Sequence, residues 1–178
     1  MPSSKVDVKS LQSPIRARYE ADPLSAPVTL RVASRSSDLS DPLHCSVGPS
    51  VLPDQTLQSG AHPAVGGTGD VPCSGDLLLA ALAACQETTL RMVAANANIE
   101  LERLEVAVEG DWDPRGTLGM RGFPIGLTAI RCKTTAVIKG EGRPDRADRL
   151  IRSAERYCVV LNTLQAGVPV ESEFEIEA

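Results

Sequence analysis

Aromatic side chains are almost missing from this 178-residue chain: one tryptophan (Trp112), two tyrosines (Tyr19, Tyr157) and two phenylalanines (Phe123, Phe174). So small a set offers no stacking platform for bases, and a net charge of −5 offers no cationic face to phosphates or an anionic membrane. Neither nucleic acid nor membrane is therefore expected as a partner. Long apolar runs are lacking too. The stretch Leu77 to Cys85 holds nine residues and covers about 13 Å as a helix, short of the roughly 20 residues a membrane span requires. The opening residues, MPSSKVDVKSLQS, contain no apolar core of a secretory signal, so a cytoplasmic protein is expected. No cysteines are paired as C-x-x-C. The five present (Cys45, Cys73, Cys85, Cys132, Cys158) are odd in number and irregular in spacing, unlike a secreted disulfide framework.

What is present is the composition of an ordinary globular domain, 42% apolar and 23% charged. The length suits one domain over residues 14–178, preceded by a polar, flexible N-terminus over residues 1–13. Its organising element is Ser74 to Asn98, a helix whose half from Leu77 to Cys85 has no polar face and should be enclosed on all sides. Ser74 is placed to cap it, and Asp76 puts a negative charge in its first turn.

Around this helix, Pro14 to Glu20 and Val28 to Ser34 alternate in the manner of half-buried strands and suggest a hairpin, with a further short strand near Leu43 to Val47. Ser34 to Gly75 is rich in Ser, Pro, Gly and Asp without a sustained period and reads mostly as loop. After the helix come a strand carrying Leu104, Val106 and Val108, a longer strand from Leu127 to Lys139, and a second helix from Pro144. Asn162 fits the cap of a short helix ended by Gly167, and Val168 to Ile176 alternates as a closing strand. The class is α+β, antiparallel sheets around a central helix too apolar for a surface, and a second copy supplying its own sheet would complete its cover.

Two patterns can be set aside. Gly66, Gly67 and Gly69 resemble a dinucleotide loop, but Pro72 stands where a third glycine belongs and no strand precedes it. His44, Cys45, His62 and Cys73 have zinc-ligating side chains without a paired zinc spacing. Cys132 alternates with Ile130 and reads as core. Cys85, in apolar surroundings, and Cys158, 73 residues later, read from these facts either as two packed thiols or as a redox pair, since burial makes a thiol inert unless something favours its thiolate.

The run SGDLLLAALAACQETTL around Cys85 and the run YCVVLNTLQAGVPVE around Cys158 resemble, in order and separation, the two signatures of the OsmC/Ohr family of thiol peroxidases. The resemblance implies an OsmC-like fold: an intertwined homodimer with two central helices wrapped by sheets. It implies that Cys85 is the peroxidatic thiolate and Cys158 the resolving thiol, that organic hydroperoxides are substrates, and that a dithiol reductant, lipoyl or thioredoxin-like, restores the pair. No cofactor and no metal are implied. Leu82, Gln86 and Thr89, beside Cys85 on the helix, become candidate substrate contacts. The Ohr branch activates its thiolate with an arginine in the N-terminal turn; the corresponding turn here, ADPLSAP, has none. Arg31 is the substitute candidate, with Arg16 and Arg18 behind it, and its other reading is a solvated strand residue. The rival to an enzyme is a binding module that holds an apolar or electrophilic small molecule in the same dimer cavity.

Overall fold

The computed structural model describes residues 6–34, 38–140 and 144–176. Its elements run α1 (Val8–Ala21), β1 (Val32–Ser34), β2 (His44–Pro49), β3 (Leu57–Gly60), α2 (Ser74–Asn96), β4 (Leu101–Trp112), the single turn α3 (Pro114–Thr117), β5 (Leu127–Ile138), α4 (Pro144–Tyr157) and α5 (Val159–Ala166). The strands form two antiparallel sheets, one ordered β1-β2-β3 and the other β4-β5. This is the expected α+β class.

Helix α2 is the element on which the rest converge. It contacts β4, α4, α5 and α1. Its buried residues, Leu82, Gln86, Leu90 and Ala94, recur every fourth position and so form one row. Leu90 and Ala94 close a core with Leu150 and Ala154 of α4, packed over by Val93, Ile99, Leu101, Leu104 and Ile138. On the strand side Gly110 of β4 lies against Leu79, where an added Cβ would come within 3.2 Å of the leucine Cδ1. At 23 residues α2 is long and apolar enough to cross a bilayer by length and composition, contrary to the shortness of its purely apolar stretch. It packs on α4 and β4 along one row, Leu90 and Ala94 entering the core. Enclosure on all sides is not met within one chain: Leu78, Ala80, Ala81 and Ala84 remain exposed.

The N-terminal third departs from the expected hairpin. Pro14 to Glu20 lies within helix α1, which already begins at Val8, so part of the stretch expected to be loose is ordered. The Asp7 carboxylate accepts from the Ser10 backbone N–H at 3.0 Å and from its hydroxyl at 2.6 Å, an N-cap that fixes the first turn. Gln12 accepts from the Asn96 amide at 2.9 Å and ties α1 to the end of α2. Three alternating residues (Ile15, Ala17, Tyr19) were too few to set a period of two against this cap. Only Val32–Ser34 of the second expected strand is paired, to Val47–Pro49.

Residues 38–73 hold more order than their composition suggests. Strands β2 and β3 pair from His44 opposite Gly60 to Val47 opposite Leu57. The Ser59 hydroxyl donates to the Pro72 carbonyl at 3.0 Å, and Gly60 forms a parallel bridge with Cys73, which fastens this sheet to the start of α2. Gly67 has a packing role: a Cβ there would sit 1.7 Å from the Ala61 carbonyl oxygen.

His44 locks the same region through charge. Its Nδ1 lies 2.7 Å from Asp41 and its Nε2 3.0 Å from Asp70, so a protonated ring joins the loop before β2 to the loop before α2. The Thr68 hydroxyl, then His44, hold the Asp70 carboxyl down at about 2, while Asp70 and Asp41 raise the imidazole above its ordinary value. A raised histidine contributes stability fully below its unfolded pKa of about 6.5 and loses it as pH climbs through the higher folded value. Asp70 works in the opposite sense, contributing above its ordinary carboxyl value and losing its share only as pH falls towards about 2. The melting temperature should therefore decline between about pH 6 and 8, and His44→Gln should flatten that decline. An unchanged slope in the variant would contradict the clamp.

At the other end Asn162 does not begin the last helix. Cys158 occupies the N-cap position of α5, and Gly167, with φ of 63°, ends it in the left-handed region that glycine favours. Val168 to Ile176, expected as a closing strand, forms no regular element and pairs with no strand among the described residues, leaving Val170, Phe174 and Ile176 exposed.

Candidate active site

Helix α2 presents Cys85 midway along its length, and the corner between α4 and α5 presents Cys158. The apolar residues that hold the two helices against α2 bring the thiols together: Leu150, Ala154 and Cys158 form one buried row that ends at this corner, with Cys158 fully buried. Both cysteines are free, and the Cys158 thiol stands near enough to Cys85 to favour its thiolate. The Thr89 hydroxyl, one turn on from Cys85, lies 4.0 Å from its Sγ.

The two thiols are placed in opposite electrostatic settings. Burial pushes the Cys85 thiol up, but the backbone N–H of Val160, the Cys158 thiol, the Thr89 hydroxyl and the backbone N–H of Val159 all favour the thiolate and together bring it below its ordinary value. Val159 and Val160 are the first residues of α5, whose free amides and positive dipole end suit a negative sulfur. Cys158 is pushed up, first by burial and then by sharing its proton with Cys85. The arrangement favours Cys85 as thiolate and Cys158 as thiol, which separates a nucleophile from a reserve.

The other candidates fall as follows. Leu82 and Gln86 are buried and line a groove of about 1080 Å³ between α2, β5, α4 and α5. The Gln86 Oε1 is buried there without a hydrogen-bond partner among the described residues. Cys132 faces this groove rather than a filled core and is exposed, a correction to the core reading. Arg31 lies just ahead of β1, exposed; its carbonyl accepts from Ser50 N–H at 2.9 Å, and no hydrogen bond joins its side chain to Cys85 among the described residues. Arg16 and Arg18 are exposed on α1. Asp76 accepts from the Cys73 backbone N–H at 2.9 Å, so it serves the helix start, with Cys73 rather than Ser74 at the cap position. His62 accepts from Ala64 N–H at 3.0 Å and meets Trp112 edge to face, and His44 is held by its two aspartates.

Sequence reasoning missed the amides of Val159 and Val160, because backbone groups leave no mark on residue type. The signal available was the Cys-to-Asn spacing of four residues, which reads as a helix corner only once the end of α4 is known.

The family model for OsmC-like protein matches residues 67–173, the stretch that holds both thiols. No curated protein sequence matches the chain. Among solved structures, an OsmC-like protein of unknown function from Vibrio cholerae is similar with a TM-score of 0.61 at 12% identity, over 77% of this chain and 94% of that one. An OsmC-like protein from Mycoplasma pneumoniae is similar with a TM-score of 0.60 at 20% identity, over 78% and 88%. An organic hydroperoxide resistance protein OsmC from Legionella pneumophila is similar with a TM-score of 0.53 at 20% identity, over 79% and 91%.

Proposed function

The chain belongs to the OsmC family, and from that membership we propose that it is a thiol-dependent peroxidase that reduces organic hydroperoxides to alcohols through Cys85 and Cys158. The observation that carries the reading is the meeting of a favoured thiolate and a retained thiol at the α4–α5 corner. The Cys85 thiolate attacks the distal peroxide oxygen; the O–O bond breaks, the alkoxide leaves and takes up a proton, and Cys85 is oxidised to its sulfenic acid. Cys158, as thiolate, then attacks the sulfenic sulfur and expels the oxygen as water, leaving a Cys85–Cys158 disulfide. A dithiol reductant, lipoyl or thioredoxin-like, takes the two electrons' worth of oxidation by thiol exchange and becomes a disulfide itself.

Arg31 is not required in this account, because the amides opening α5 supply the positive potential. Leu82 and Gln86, in the wall of the groove, and Thr89, 4.0 Å from the Cys85 sulfur, are the contacts proposed for the substrate. An apolar tail gains about 0.8 kcal/mol for each methylene buried, so two such groups give about tenfold. With a dihydrolipoyl dithiol as reductant, kcat/KM for cumene hydroperoxide should exceed that for hydrogen peroxide by about tenfold or more. Equal rates would contradict the organic substrate, and tight binding of the organic ligand without turnover would favour the binding module.

The working unit is proposed to be a homodimer. The exposed side of α2 and the unpaired segment Val168–Ile176, whose apolar residues alternate and lie exposed, support it, since a second copy offers both a cover and a strand partner. Sedimentation equilibrium should give twice the 18.8 kDa chain mass, and the single-chain mass over a wide concentration range would contradict the dimer.

A further inference from the structure

One side chain at the α4–α5 corner has no part in the chemistry above, yet makes more hydrogen bonds than its neighbours there. The Asn162 amide nitrogen donates to the Cys158 carbonyl at 2.8 Å, the Glu155 carbonyl at 3.0 Å and the Arg156 carbonyl at 3.3 Å. Its backbone N–H also donates to the Cys158 carbonyl at 3.1 Å. The Cys158 N–H in turn donates to Ala154 at 3.0 Å, so Cys158 is gripped from both helices. We propose that Asn162 is a positioning residue: by tying the last carbonyls of α4 to the first turn of α5, it holds the Val159 and Val160 amides toward the Cys85 sulfur and Cys158 beside it.

The physical case is one of orientation. The last carbonyls of a helix are unpaired and carry the negative end of its dipole. At a corner where one helix stops and another starts, those carbonyls and the next helix's free amides lie close together, and a small rotation decides which set faces a buried atom. Asn162 occupies the carbonyls of α4 from within α5, which leaves the amides of α5 free to serve the sulfur. Glycine or alanine at 162 would leave the same backbone without that restraint. The groups facing Cys85 from the packed elements are the Cys158 thiol, the Thr89 hydroxyl and these amides. No arginine, lysine or histidine side chain hydrogen-bonds to its sulfur among the described residues, so no cationic side chain stands in for the amides if they turn away.

This rests on Cys85 being the reactive thiol, and its test is separable from peroxidase turnover. The rate of alkylation at Cys85 by iodoacetamide, followed by peptide mass spectrometry as a function of pH, gives the thiol pKa for that residue apart from Cys158. Asn162→Ala should raise it by about one pH unit, leaving about tenfold less thiolate at neutral pH. Asn162→Ser keeps one donor and should give an intermediate shift, which preserves the test if the alanine variant does not fold. Ala166→Gly weakens α5 without touching the corner and should leave the Cys85 pKa in place. An unmoved pKa in both Asn162 variants, or the same shift in Ala166→Gly, overturns the proposal. A shift confined to the Asn162 variants supports it even if the wild-type protein turns over no hydroperoxide, a result that would count against the peroxidase alone.

Discussion

Cys85→Ser should lower kcat/KM for organic hydroperoxide by at least about a thousandfold, close to complete loss, as removal of a nucleophile does elsewhere. That corresponds to about 4 kcal/mol of transition-state stabilisation. The reason lies in what surrounds the sulfur. The amides of Val160 and Val159, the Cys158 thiol and the Thr89 hydroxyl favour an anion at this point, and a thiolate forms within their reach at lower pH than at an ordinary cysteine. A serine hydroxyl ionises far outside that range, so the same donors would surround a neutral, weakly nucleophilic oxygen. The replacement removes little volume at a half-buried position, so the melting temperature should stay within a few degrees of wild type. Retained turnover in a folded Cys85→Ser protein would remove this residue from the chemistry.

Cys158→Ser should split the reaction in two. A serine hydroxyl still donates to the Cys85 thiolate, so the first oxidation should proceed at close to the wild-type rate. Without the second sulfur, the Cys85 sulfenic acid has no internal thiol to condense with. Sustained turnover with a dithiol should fall by about tenfold or more, dimedone should label Cys85, and excess peroxide should drive it on to sulfinic acid. The raised pKa of Cys158 fits this order of events, since a resolving thiol that is protonated at rest does not compete for peroxide. Undiminished turnover in Cys158→Ser, or a first step slowed as much as in Cys85→Ser, would contradict the division of roles.

Much of the architecture was readable in the residues. The unbroken apolar run through Leu77–Cys85 marked α2, the Leu104, Val106, Val108 alternation marked β4, and the β-branched stretch from Leu127 marked β5. Helix α1 was missed because its cap, Asp7 on Ser10, outweighed a short alternation in which neither face is deeply buried. The strand expected near Leu43 to Val47 is β2, but its hairpin partner β3 was missed because its fixing contacts are a buried serine and close-packed glycines, which read in sequence as loop. At the site, the two cysteines were visible through the motifs around them. Asn162 was visible as a capping residue, but not which helix end it caps, since an asparagine amide reaches backbone on either side of a corner. The search for an arginine overlooked a helix start, because a positive potential built from backbone amides has no residue type of its own.

The most direct test of the account is a single-turnover oxidation. One equivalent of cumene hydroperoxide added to the fully reduced protein, followed by peptide mass spectrometry, should show rapid loss of two thiols and a disulfide joining Cys85 to Cys158, with Cys45, Cys73 and Cys132 still reduced. Slow oxidation scattered over the five cysteines, with no Cys85–Cys158 disulfide, would contradict it.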